Sequence, residues 1–79
     1  MVLFETVPPY SPFEYGSSVR VRVTPNPHGL VQGSVYGFQR IDDLEAAKER
    51  GVPVGMLYVL VEDDSGAAFE IPAGDLELL

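Results

Sequence analysis

The clearest pattern in the chain is the alternation Val19-Arg20-Val21-Arg22-Val23. β-Branched residues at every second position with charged ones between them describe a half-buried strand, with Val19, Val21 and Val23 facing inward. Gly16-Ser17-Ser18 turns the chain into this strand, and the loop Thr24-Pro25-Asn26-Pro27-His28-Gly29 ends it. A second strand is expected over 31–38. Gly33 and Gly37 fall inside it, where glycine marks a bulge or a sharp bend. The run Met56-Leu57-Tyr58-Val59-Leu60-Val61-Glu62 has strand length and apolar residues on both alternating faces, so both faces are expected to be covered. Glu62-Asp63-Asp64-Ser65-Gly66 reads as a hairpin turn, and 67–71 as the return strand. Pro72-Ala73-Gly74 breaks the chain, in the manner of a 3₁₀ turn, before a terminal strand over 76–79.

Between the second and third of these strands, 42–50 predicts a short helix. Asp42 is the expected cap, Glu45 stands three positions on as in a capping box, and Gly51 is the expected stop. Ile41, Leu44 and Ala47 form a narrow apolar stripe, and Glu45 and Lys48 are spaced to pair. A helix this short does not hold alone and must dock. Residues 1–18 carry Pro8, Pro9 and Pro12 among Phe4, Tyr10, Phe13 and Tyr15, which opposes a helix. They predict an extended arm, taken as 1–14, that covers an edge of the domain 15–79 or pairs with another chain and so joins copies of the protein. The whole describes a mainly β domain: a small, bent, partly open antiparallel barrel of about five strands with one inserted helix.

Composition narrows the chemistry. The 79 residues suffice for one domain, and the absence of Cys with a single His excludes a Cys/His zinc site and a disulfide framework. No apolar run approaches the roughly 20 residues that span a bilayer. The N-terminus lacks the cationic and apolar segments of a secretory signal, so no membrane association and a cytoplasmic protein are expected. The net charge is −7, and its placement is uneven. Residues 1–39 sum to zero, while residues 40–79 hold ten acids against Arg40, Lys48 and Arg50. That balance opposes a nucleic-acid face, for which Arg20 and Arg22 are too few. These two arginines are expected to pair with acids across the sheet.

This strand order resembles SH3-like barrels. The resemblance rests on Val19-Arg20-Val21-Arg22-Val23, Gly33-Ser34-Val35-Tyr36-Gly37, Tyr58-Val59-Leu60-Val61, the acidic turn at 62–66 and Asp75-Leu76-Glu77. Within that class the chain is similar to small immunity proteins of bacterial polymorphic toxin systems. Phe13-Glu14-Tyr15-Gly16-Ser17-Ser18-Val19-Arg20-Val21 and the ending Pro72, Asp75, Leu76, Glu77 carry that likeness, and a longer insertion around residues 40–55 departs from it. The resemblance implies a non-enzymatic protein that neutralises a cognate toxin by occluding its site, and it supplies no catalytic residues.

Candidate sites follow. His28 is the one imidazole and has no nucleophile near it in sequence, so a solvated loop histidine is expected. Glu62-Asp63-Asp64 lacks the oxygen-ligand spacing of a calcium loop, and Gly33 and Gly37 lack the Lys-Ser/Thr of a phosphate loop. No metal, cofactor or catalytic group is expected. The residues expected to meet a basic protein partner are Asp42, Asp43, Glu45, Glu49, Glu62, Asp63 and Asp64, with Tyr36 and Tyr58 as aromatic anchors if exposed, the other reading of these two being that they pack under the arm or helix. Two other readings of the same barrel are a nucleic-acid-associated module, which the charge opposes, and a structural accessory domain that oligomerises through its arm.

Overall fold

The computed structural model describes residues 2–5, as backbone, and 11–79. Six strands form one antiparallel sheet: β1 (Val2–Glu5), β2 (Ser18–Val21), β3 (Gln32–Ile41), β4 (Met56–Glu62), β5 (Ala68–Pro72) and β6 (Leu76–Leu78). Helix α1 (Leu44–Arg50) joins β3 to β4, and a 3₁₀ turn (Ala73–Asp75) joins β5 to β6. The order β5-β4-β3-β2-β6 is that expected of a small, partly open barrel of five strands with an inserted helix. The sixth strand, β1, belongs to the arm. It pairs with Phe38–Ile41 of β3 in the register Val2↔Ile41 to Glu5↔Phe38, so the arm covers an edge of its own sheet. Tyr10, Pro8 and Pro9 lie outside the described residues.

β3 organises this sheet. It pairs with β4 from Ser34↔Glu62 to Ile41↔Met56, and on its other edge β2 and β1 follow one another. The β3–β4 register shifts between Val35 and Gly37, leaving Tyr36 as the extra residue of a bulge. Val35 and Phe38 are three apart and would face opposite ways in a regular strand. With Tyr36 taken out of the count, both enter the same core. That core also holds Phe13, Val19, Leu30, Val59, Val61, Ile71 and Leu76, with Val21, Leu57, Phe69 and Ala73 packed against it. Phe13 stands on the arm side of the boundary expected at 14/15, yet its ring is buried with the barrel residues. The Tyr15 ring meets Phe38 edge-on at 5.7 Å between centroids. Full burial of each large apolar side chain contributes about 1.5–3 kcal/mol.

β3 runs to Ile41 rather than ending at Phe38, because both neighbours accept its last residues. Gln39 is buried there, and the Arg40 guanidinium donates to the Gly55 carbonyl at 3.1 Å. β2 stops at Val21, two residues before the expected end. The Arg22 backbone N–H donates to Asp75 O at 2.8 Å and its Nε to Gly74 O at 2.7 Å, tying it to the 3₁₀ turn. Arg20 pairs with Glu77, its cross-strand partner, at 2.7 Å.

The helix begins later than its sequence predicts. Asp43, extended at φ −127° and ψ 131°, is the cap and accepts from the Ala46 N–H, so Asp42 is not the cap and Glu45 does not complete a capping box. Two adjacent aspartates offered the same chemistry, and the geometry leaving β3 selects the second. Gly51 ends the helix in the left-handed region at φ 69°, as expected. Ala47 docks in a second cluster with Ile41 and Tyr58, with Ala46, Val52 and Met56 around it. Leu44 does not join that stripe; it is 58% exposed. No ion pair joins Glu45 to Lys48 among the described residues.

Gly33 has a different task from Gly37. A Cβ on Gly33 would run into the Glu62 carbonyl oxygen and lie 2.8 Å from Val61 Cγ1, so β3 and β4 approach too closely there for any side chain. At Gly37 a Cβ would meet only the flexible end of Leu60, at 3.1 Å. Gly33→Ala should therefore cost about 1–3 kcal/mol of stability in urea unfolding, and Gly37→Ala less than half as much. Equal losses would show that the close β3–β4 approach is not what Gly33 serves.

Candidate functional site

The sheet has an inner face, which holds the main core, and an outer face, on which α1 lies. Along β4 the inner residues are Leu57, Val59 and Val61. The outer ones are Met56, Tyr58, Leu60 and Glu62, opposite Ile41, Gln39, Gly37 and Ser34 of β3. Helix α1 covers the outer face only at its Met56 end, where Ala47 meets Ile41 and Tyr58. Beyond the helix, no described residue covers the outer face. A hollow of about 330 Å³ lies there, lined by Tyr36, Gln39, Leu60, Ala68, Phe69 and Glu70. Its aromatic wall, Tyr36, stands out at the bulge and is 42% exposed.

Tyr58 is not a surface anchor, contrary to the expectation from sequence. The residue is 9% exposed, packed with Ala47 of α1 and Ile41 of β3, and the Arg50 guanidinium lies over its ring at 5.2 Å. The apolar run 56–62 shows that both faces are covered but not which residues the helix will cover. Arg50 also makes an ion pair with Glu70 of β5. The hydrogen bond that Arg50 donates to Glu70 is the main cause that holds the Arg50 pKa above its ordinary value. This pair closes one side of the hollow and fixes the Glu70 carboxylate on the outer face.

The acids expected to meet a partner fall into two groups. Asp42, Asp43 and Glu45 stand where α1 starts, at the Met56 end of β4; Glu62, Asp63 and Asp64 stand at the other end. At about 3.3 Å per residue, the ends of this strand are roughly 20 Å apart. Asp42, Glu45, Glu49, Glu62 and Asp64 are exposed. Asp43 and Asp63 are occupied by the backbone. Asp43 caps α1, and Asp63 Oδ1 accepts from the Ser65 hydroxyl at 2.6 Å, the Ser65 N–H at 2.9 Å and the Ala67 N–H at 3.0 Å. Of the expected contact residues, Tyr36 lines the outer hollow, and Glu62 stands on the same face opposite Ala68, with Asp64 at the adjoining tip. Sequence reasoning missed Leu60, Ala68 and Glu70, although the alternation of 60 with 62 and of 68 with 70 places them on that face.

A larger hollow of about 510 Å³ lies at the opposite side of the barrel, beside the 3₁₀ turn, among Pro12, Phe13, Leu57, Leu76 and Leu78, with Arg22 and Glu77 at its rim. His28 is near that turn. It is not a solvated loop residue: its ring is 17% exposed and Nε2 lies 2.8 Å from Asp75 Oδ2. The His28 N–H donates to Asn26 Oδ1 at 2.9 Å, and Asn26 Nδ2 donates to Leu30 O, so the loop 24–29 is fastened to the 3₁₀ turn through its own side chains. No nucleophile or second base completes this pair among the described residues, and its geometry serves loop closure. No cluster of three metal-ligating side chains occurs among the described residues, and no helix is long and apolar enough to cross a membrane.

Comparison of the sequence with family models, with curated proteins and with solved structures finds no match.

The hydrogen bonds on Asp63, that of the Ser65 hydroxyl foremost and those of the Ala67 and Ser65 amides after it, lower its pKa from the ordinary 3.8. A carboxylate whose folded pKa is depressed stabilises the fold above its unfolded pKa and loses that contribution as pH falls through the folded value. Asp63→Ala should therefore lower the melting temperature at neutral pH, and the gap from the parent should shrink once the pH is taken below 3.8. A gap independent of pH would mean that the turn does not draw on the charged form.

Proposed function

We propose that this chain is a non-enzymatic, acidic protein-binding module that engages a basic protein partner through the open outer face of its sheet. The observation that carries this reading is the coincidence of an exposed aromatic hollow with carboxylates at its border. Tyr36, Leu60 and Ala68 supply apolar contact, and the exposed Glu62 and the tip residue Asp64 supply negative charge, while Glu70 is held by Arg50. Aromatic residues at the centre of a contact contribute most to affinity, while surrounding charges chiefly raise the rate of encounter. Arg20 and Arg22 are engaged with Glu77 of β6 and the Gly74 carbonyl of the 3₁₀ turn, and Arg50, the cation beside the hollow, is paired with Glu70.

In its specific form the proposal is that of an immunity protein: the acidic face covers the substrate site of a cognate toxin and neutralises it by occlusion. The resemblance of the strand motifs supports this form, and the cytoplasm is the compartment it requires. Asp42, Glu45 and Glu49 contribute to the field from the helix end rather than to the hollow itself.

Affinity capture on the immobilised protein, followed by kinetics with the purified partner, tests the reading. Glu62→Lys with Asp64→Lys should lower the association rate constant about tenfold or more at low salt and flatten its salt dependence. Tyr36→Ala should act instead on the dissociation rate. Association and dissociation rates unchanged by all these substitutions would refute the assignment of this face.

A further inference from the structure

The outer hollow ends at β5, and among the described residues β5 ends the sheet, hydrogen-bonded to β4 alone. Its ladder identifies the backbone groups that face outward. In an antiparallel pair, hydrogen-bonded and non-hydrogen-bonded residue pairs alternate along the strands. At the hairpin the Asp63 N–H donates to Ala67 O, which makes Asp63 and Ala67 a bonded pair. Counting inward from there, Glu62↔Ala68, Leu60↔Glu70 and Tyr58↔Pro72 are the non-bonded pairs. Pro72, which has no N–H to give, falls on one of them, in agreement with that count. The N–H and C=O groups of Ala68 and Glu70 therefore point away from β4, along the free edge. Among the described residues they have no partner, and both residues are exposed.

We infer that the basic partner binds by adding an extended segment as a further antiparallel strand on β5, pairing with the backbone of Ala68 and Glu70 and laying cationic side chains over the hollow. This rests on the reading of the outer face as the partner surface and specifies how that surface is used. The chemistry of the occupant follows from what borders the edge. A residue opposite Glu70 meets on the outer face a carboxylate that Arg50 pairs through Oε1, so a cation there shares it through Oε2. One opposite Ala68 meets a methyl group, which leaves room for a long side chain to cross Leu60 toward Glu62 and Tyr36. Lysine and arginine suit both positions, because an apolar stem carries the charge to its partner. A second copy of this chain suits them badly. It would bring Glu70 and the 62–64 turns of two chains, each with a net charge of −7, against one another. Strand addition draws affinity from main-chain hydrogen bonds and specificity from alternate side chains, and this edge offers both within one surface.

A short synthetic peptide of alternating lysine and valine tests the inference against the intact protein. In antiparallel addition with lysines on the outer face, the lysine amides point at β5 and the valine amides point away. The peptide N-methylated at its valines should bind as the parent peptide does. The one N-methylated at its lysines, equal in charge and composition, should bind at least about tenfold more weakly. Binding of the parent peptide should also protect the amides of Ala68 and Glu70 from hydrogen exchange. Equal binding of the two methylated peptides, or binding without that protection, would overturn strand addition and leave the acidic-surface reading standing. Failure of the parent peptide to bind would overturn strand addition as well, and the acidic-surface reading would then be decided separately by the charge-reversal kinetics.

Discussion

One geometric requirement governs this molecule: Val35 and Phe38 must enter the same core although they stand three residues apart on one strand. A regular strand cannot do this, because its side chains alternate. The bulge at Tyr36 removes one residue from the count and lets β3 bend, so that its first half carries β2 and its second half carries β1. Gly33 then permits the approach of β4 at the point where any side chain would strike the Glu62 carbonyl. Without that bend, β2 and β6 would not curl over Val59, Val61 and Ile71, and the inner face would lie open to water.

The candidate site is a by-product of the same arrangement. The residue excluded from the ladder is an exposed tyrosine, and it stands at the edge of a stretch of the outer sheet that α1 leaves uncovered. The short helix docks at the far end through Ala47 and is held by caps at both ends, Asp43 and Gly51. Arg50, at its last turn, reaches Glu70 of β5 and lies over Tyr58. A helix one turn longer would reach further across the outer face. Its length thus leaves a hollow, an acidic border and a free strand edge side by side.

Much of the architecture is legible in the sequence because it rests on local pattern. The alternation 19–23 announces β2, the prolines and glycines mark the breaks, Gly51 stops the helix, and the acidic turn at 62–66 joins two strands. The sequence is silent where pairing is distant. β3 continues through Gln39 and Arg40, polar residues that end a strand on local grounds, because β1 and β4 hold it from both sides. His28 looks like a solvated loop residue until Asp75, 47 positions away, closes on it. The charge is equally deceptive. A run of acids in residues 40–79 suggests one surface, yet the fold sends Asp42 and Asp64 to opposite ends of β4 and commits Asp43 and Asp63 to the backbone. Tyr36 and Tyr58 are indistinguishable by composition, and only the side on which the helix lies separates the anchor from the buried ring.

If the bulged pairing of β3 with β4 is what the remainder depends on, the amides of this ladder must be the last to open. Native-state hydrogen exchange read residue by residue, across a series of low urea concentrations, measures this directly. The account requires the amides of Gln39, Tyr58 and Leu60, which point across the β3–β4 pair, to exchange only through global unfolding, with the full urea dependence of the equilibrium transition. Those of α1, β1 and β6 should open at lower free energy. Retention of protection in β2 and β6 while the β3–β4 amides exchange by a smaller opening would contradict it.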